Sequence, residues 1–184
     1  LETAQTPFHL CELIRRLGAA LEHAAAQRPL EIICFVSPQV DHSFVGDGRR
    51  LQEVLTVLLD NALAVTASGG IQLRAHHGAS GVELDVIDTG PGLTEAERQS
   101  FADSGQHNHY LPTTDHASLD DEDAHVSLGL VLAQGLTKAM GGTLDARSSG
   151  GSGAWFTLRL PLSRAAVTVQ PAQQATPEPK VDTA

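Results

Sequence analysis

Between Phe8 and about Ala26 the apolar residues Leu10, Leu13, Ile14, Leu17, Ala20, Leu21 and Ala24 recur at three- and four-residue intervals, which predicts a helix with one buried face. Pro29 closes it. The run Leu30 to Val36, LEIICFV, is rich in branched and aromatic residues and predicts a strand, with a shorter one around Ser43 to Val45. A second helical stripe holds Leu51, Val54, Leu55, Leu58, Leu59, Ala62 and Val65, with Asp47 as its expected N-cap and Gly69-Gly70 as its expected end. Ile71 to His77 and Val82 to Asp88 predict strands joined as a hairpin through Gly78-Ala79-Ser80-Gly81. The second strand stops at the abrupt turn Asp88-Thr89-Gly90-Pro91-Gly92.

Beyond that turn, Thr94 to Phe101 predicts a short helix, with Thr94 as cap and Glu97 at capping-box spacing. Residues 102–126 are polar and rich in His and Asp, without hydrophobic period, and are expected to form a lid or loop. Helical spacing returns from Ser127 to Met140 through Leu128, Val131, Leu132 and Leu136, and Gly141-Gly142 stops it. Thr143 to Ala146 and Trp155 to Leu160 predict a closing hairpin, and from Ser163 onward Pro, Gln, Ala and Thr predict a linker.

A length of 184 residues suits one domain with a tail. Aromatic residues make up only 4% of the chain, so Leu, Val, Ile and Ala must fill the core, which excludes an aromatic-rich binding sandwich. With 22 acidic against 12 basic side chains the net charge is -10, and the basic residues are scattered, which argues against a nucleic-acid surface. Cys11 and Cys34 are too few for a disulfide framework and are expected to be reduced thiols in or near a core. The chain holds no run of about 18 apolar residues, so direct membrane contact is not expected of this domain.

Four features carry possible chemistry. Asp88 ends an apolar strand just before glycines that let backbone approach a ligand closely. Asn61 lies inside a helix, where Asn is disfavoured, at the border of the apolar stripe, and its amide needs a partner. Leu128-Gly129-Leu130 is expected to open a helix, where free N–H groups and the dipole favour an anion such as phosphate. Gly151-Ser152-Gly153 precedes the final strand. Singly, each has an ordinary explanation as a turn or as a locally bonded side chain.

Together, in this order, LLDNA (58–62), DTGPGL (88–93), SLGLVLAQGL (127–136) and GSGAWFTLRLPL (151–162) resemble the asparagine box, the two glycine boxes and the closing strand of the catalytic, ATP-binding domain of bacterial sensor histidine kinases. The stretch FHLCELI, LEIICFV and GDGRRLQEVL is similar to the region preceding the asparagine box in hybrid members of that family. The resemblance implies an α/β fold: a two-layer α/β sandwich of the Bergerat type, with a mixed, mainly antiparallel sheet and about three helices on one face. It spans residues 8–162, after a lead-in of residues 1–7, with an ATP lid at 102–126 and a disordered linker at 163–184.

On that resemblance Asp88 accepts a hydrogen bond from the adenine amino group, Gly90 and Gly92 admit the purine, and Leu128, Gly129 and Leu130 face the phosphates. Asn61 holds the Mg2+ ion. The cofactors implied are ATP and Mg2+, and the reaction is transfer of the γ-phosphoryl group to a His on an upstream dimerisation domain. The partners implied are ATP or ADP, that upstream domain, a receiver domain or response regulator, and in one reading another sensor kinase. The location implied is the cytosolic side of a membrane-bound sensor. None of the nine His residues is followed by Asp or Glu, as the family's phosphoacceptor is, so the chain alone is not expected to autophosphorylate.

The sequence departs from the family pattern at three places. Val57 and Ala64 stand where the family usually has Asn and Lys, and His125 and Ser127 stand where the second glycine box has glycines. From Gln99 through Thr137 there is no Lys or Arg, whereas Asp103, Asp115, Asp120, Asp121, Glu122 and Asp123 are acidic. These departures fit an alternative, a degenerate nonenzymatic module that regulates another kinase by contact. His107, His109, His116 and His125 beside the acids show no regular ligand spacing, so a solvated lid is expected there rather than a metal site.

Overall fold

In chain order the elements are β1 (Thr6–His9), α1 (Leu10–Ala25), β2 (Leu30–Val36), β3 (Ser43–Gly46), α2 (Gly48–Val65), β4 (Gly69–Gly78), β5 (Gly81–Asp88), α3 (Glu122–Ala139), β6 (Thr143–Ser148), β7 (Ala154–Leu160) and β8 (Ser163–Arg164). They come from a computed structural model that describes residues 4–79, 81–95, 98, 99, 101, 122–148 and 153–165, with only the backbone described over 122–128.

The main sheet has the order β2-β4-β5-β7-β6. Its β2–β4 pair is parallel and the rest are antiparallel, so the sheet is mixed and mainly antiparallel, as expected. Alternation along β5 sends Val82, Leu84, Val86 and Asp88 to one face and Glu83, Asp85 and Ile87 to the other. The first face is covered by the helices. Leu10 and Ile14 of α1, Leu51, Leu55 and Leu58 of α2, and Leu130 and Ala133 of α3 meet Ile71, Leu73, Leu84, Phe156 and Leu158 there in one core. Each large side chain so buried contributes about 1.5–3 kcal/mol. Among the described residues the second face has no covering layer, and Ile33, Phe35 and Trp155 are exposed on it.

A polar cluster braces that open face. Asp85 is 4% exposed, and its Oδ1 accepts hydrogen bonds from Trp155 Nε1 and Thr157 Oγ1, both at 2.9 Å. Its Oδ2 lies 2.9 Å from His76 Nε2, so one carboxylate ties β4, β5 and β7 together. Burial pushes the Asp85 carboxyl up, and the hydrogen bonds from Trp155, His76 and Thr157 more than offset this, leaving it below the usual range.

Several expected boundaries are corrected. Helix α1 starts at Leu10, and Phe8 lies in β1, which pairs antiparallel with β3, so the lead-in is partly a strand. Gly69-Gly70 does not end α2. That helix stops at Val65, where Thr66 Oγ1 donates to Ala62 O at 2.6 Å. Arg28 supplies the remaining cap, Nη1 donating to Leu63 O and Nη2 to Thr66 O. The two glycines instead begin β4. Ser163 and Arg164 are strand rather than linker, because β8 adds to a second sheet of order β1-β3-β8. Both cysteines are free, Cys11 half-buried and Cys34 exposed on the edge strand beside α1. The Cys34 Sγ is only 2.7 Å from where a Cβ on Gly18 would stand, so that glycine lets α1 approach β2.

Other expectations match the described elements closely. The β2 range is as expected, Asp47 caps α2 by accepting from Arg50 N at 3.0 Å, and both hairpins form. Glu95, Arg98, Gln99 and Phe101 are helical after the glycine turn, with Arg98 N donating to Thr94 O at 3.0 Å. Phe101 packs its ring against Phe156 of the core, with centroids 5.8 Å apart. Glu97, residues 102–121 and residues 166–184 lie outside the described residues, and with them most of the expected lid and linker.

Candidate functional site

Asp88 is the last residue of β5 and points to the helix side of the sheet, where it is 2% exposed. Its Oδ1 accepts from Gly90 N at 2.8 Å and from Ala154 N at 3.3 Å. Its Oδ2 is buried and has no hydrogen-bond partner among the described residues. Burial pushes the Asp88 carboxyl up, with the two backbone donors pulling the other way. A buried carboxylate oxygen left without a donor is costly, so this one is suited to an N–H brought by a ligand.

The turn after Asp88 is shaped by what it packs against. Gly92 has φ +84°, and a side chain there would collide with the Ser148 hydroxyl. Gly153 has φ +82°, and a Cβ on it would collide with the Asp88 carbonyl. Thr89 Oγ1 accepts from Gly70 N at 2.9 Å and so fixes the base of the turn to β4.

Asn61 lies inside α2, 9% exposed, and its buried Oδ1 also has no hydrogen-bond partner among the described residues. Its neighbours along the helix show what it faces. Val57, one turn before, lies beside Gly129 of α3: a Cβ on Gly129 would stand 3.2 Å from Val57 Cγ1. Val65, one turn after, touches the glycine turn, where a Cβ on Gly90 would stand 3.2 Å from Val65 Cγ2 and from Val65 O. Residues four apart share a helix face and rise about 6 Å. Asn61 therefore stands on a stripe that runs from α3 to the turn beside Asp88, midway between the two.

This arrangement brings together Asn61, Asp88, Gly90 and Gly92 and departs from expectation at the second glycine box. Helix α3 is already formed at Glu122, so Leu128, Gly129 and Leu130 do not open it. Only the first four N–H groups of a helix lack intrahelical acceptors, and these three residues stand beyond them. Leu130 is a core residue, 3% exposed. Leu128 has only its backbone described, and Gly129 lies against α2. Gly151, Ser152 and the side chains of His107, His109, His116 and His125 fall outside the described residues.

Two contributors escape the sequence pattern: the Ala154 amide on Asp88 and the Ser148 hydroxyl, which accepts from Leu93 N at 3.0 Å and donates to Gly153 O at 2.9 Å. The only local hint of Ser148 is its place just before the glycines of the last box.

The fold is thus a two-layer α/β sandwich whose helix side carries a buried carboxylate, a glycine turn and a mid-helix Asn. Residues 46–164 match the family of histidine kinase-, DNA gyrase B- and HSP90-like ATPases, and the chain belongs to that family. It is 32% identical over 166 residues to the sensor histidine kinase GacS of Pseudomonas protegens, covering 86% of this chain and 17% of that protein. It is 27% identical over 179 residues to the signal transduction histidine-protein kinase BarA of Escherichia coli, covering 91% of this chain and 18% of that one. The chain thus spans less than a fifth of the length of these relatives.

Among solved structures, full-length ShkA in complex with AMPPNP superposes with a TM-score of 0.72 at 27% identity, over 90% of this chain and 32% of that one. The nucleotide-free catalytic domain of the histidine kinase ThkA superposes with a TM-score of 0.64 over 88% of this chain and 96% of that one, and at 21% identity it speaks to fold alone. Among the described residues, no helix is long and apolar enough to cross a membrane.

Proposed function

We propose that this chain is the ATP-binding catalytic domain of a sensor histidine kinase, one that holds Mg-ATP and presents its γ-phosphoryl group to a His on a separate dimerisation domain. The observation that carries this reading is the unpartnered, buried Oδ2 of Asp88, held in place by two backbone donors beside a glycine turn. An adenine amino group supplies the missing N–H. The orphaned Oδ1 of Asn61 supports the same reading, because an amide carbonyl oxygen is a donor suited to a hard cation. Magnesium, when bound, neutralises phosphate charge during phosphoryl transfer. The protein's own residues would orient the base at Asp88 and hold the Asn61 carbonyl oxygen on the α2 stripe one turn from the glycine turn.

The kinase names of the relatives, and the AMPPNP carried by ShkA, point the same way. The wider setting follows as part of the proposal: a cytosolic domain of a hybrid sensor, fed by upstream dimerisation helices and followed by a receiver domain. Phosphorylation of this chain alone by Mg-ATP is not expected.

Calorimetric titration with ADP and with a nonhydrolysable ATP analogue, each with and without magnesium, tests the assignment. Binding strengthened by magnesium is expected in the wild type. In Asn61→Ala the magnesium dependence is expected to disappear while ADP alone still binds. No binding at millimolar nucleotide favours the second reading, a contact module on an inherited fold. Val57 gives that reading its specific support, since an apolar side chain occupies the helix face beside Gly129 where a polar one is usual.

A further inference from the structure

Ser148 is absent from every motif considered above, yet a ring of hydrogen bonds passes through it. Starting at Asp88, Oδ1 accepts from Gly90 N at 2.8 Å, and the chain continues through Gly92 to Leu93. The Leu93 amide donates to Ser148 Oγ at 3.0 Å, and that hydroxyl donates to Gly153 O at 2.9 Å. The next residue, Ala154, pairs with Ser148 across β6 and β7 and returns its amide to Asp88 Oδ1 at 3.3 Å. The ring encloses the glycine turn.

We infer that Ser148 is a positioning residue for the nucleotide base, acting through Asp88 and the Gly90–Leu93 backbone, an inference that rests on the nucleotide-binding reading above. The chemistry of the position is specific. One atom must accept from an amide and donate to a carbonyl at once, which a hydroxyl does and a methyl group cannot. The space is equally restrictive, because Ser148 Oγ occupies the volume a Cβ on Gly92 would need. Glycine at 92 and serine at 148 are thus a matched pair. Without the hydroxyl, the Leu93 amide and the Gly153 carbonyl lose their partner, and the left-handed turn at Gly92 is no longer fastened to the strand end that orients Asp88.

Ser148→Ala, with Ser148→Thr as rescue, tests this in the 184-residue chain by three measurements: amide exchange at Leu93, thermal midpoint, and affinity for ADP and for a magnesium-bound ATP analogue. Exchange at Leu93 is expected to accelerate in the Ala variant. Affinity is expected to weaken about tenfold, the scale set by two ordinary hydrogen bonds. The weakening should be equal for both nucleotides, because the ring acts at the base end, and the Thr variant should recover it. A purely structural role would lower the thermal midpoint and leave affinity measured well below it within about twofold of wild type, which overturns the inference. Unchanged exchange at Leu93 overturns it too. Failure of the wild type to bind either nucleotide overturns the nucleotide-binding reading and this inference with it.

Discussion

The carboxylate of Asp88 accepts a hydrogen bond from the amide of Ala154, 66 residues later in the chain and 3.3 Å away. One carboxylate oxygen is held by backbone, and the other is buried without a donor among the described residues. Asp88→Asn keeps an oxygen for Gly90 and Ala154 and places an NH2 where the free oxygen was, so donor meets donor when an adenine amino group arrives. Nucleotide affinity is expected to fall by about 2–3 kcal/mol, a loss of roughly one hundredfold, with the thermal midpoint unchanged or raised. Calorimetry beside thermal denaturation checks both halves. A variant that binds as the wild type does refutes the base-binding role.

Protonation of the same group should give opposite trends in stability and in binding. Because burial raises the folded-state pKa of Asp88, its contribution to stability is fully present below the ordinary carboxylate value and is lost as pH rises through the raised one. Binding needs the ionised acceptor, so affinity should fall as pH drops through that raised value. Titrations from neutral pH downward, with Asp88→Asn as the pH-insensitive reference, separate this group from others. Equal pH profiles for the two proteins would rule it out.

Asp85 belongs to the open face of the sheet and should matter for folding rather than ligand. Asp85→Ala strands the donors of Trp155, Thr157 and His76, and a loss of about 2–4 kcal/mol is expected. The depressed folded pKa sets the sign. Its stabilisation is present above the ordinary carboxylate value and disappears as pH falls through the depressed one. Denaturant melts at neutral and acidic pH should therefore show the variant's deficit shrinking in acid, with nucleotide affinity unaltered at neutral pH.

The small second sheet makes the segment after Leu162 part of the fold. Removing residues 163–184 deletes the pairing of Phe44 and Val45 with Arg164 and Ser163, the Ala165 N to Ser43 O bond at 2.9 Å, and the Arg164 bond to Gln39 O. A cost of about 1–2 kcal/mol is expected in chemical denaturation. A truncated chain as stable as the full one would show that β8 contributes nothing.

Long, regular segments were legible from periodicity because a buried stripe on a helix or an alternating strand repeats within a few residues. The β2 run LEIICFV and the Asp47 cap needed nothing but local sequence. Short edge elements were not legible. Thr6–His9 and Ser163–Arg164 carry little pattern of their own and become strands because β3 offers both its edges. The end of α2 was misplaced for a related reason: Arg28, 35 residues before Leu63, supplies its cap from outside the helix. The early residues of α3 were not legible either, because its first turns carry no apolar stripe.

Residue types at fixed local spacing singled out Asn61 and Asp88 as candidate ligands and carried the resemblance to the family, and the resemblance in turn implied the two-layer α/β class. Only the tertiary structure decided what those residues lack and what holds them: the unpartnered oxygens of Asn61 and Asp88, and the Ala154 and Ser148 bonds that fasten the glycine turn. Gly90 N reaches Asp88 from two residues away, but Ala154 N comes from 66 residues away and Ser148 meets Leu93 from 55 away, and no local pattern carries those pairings.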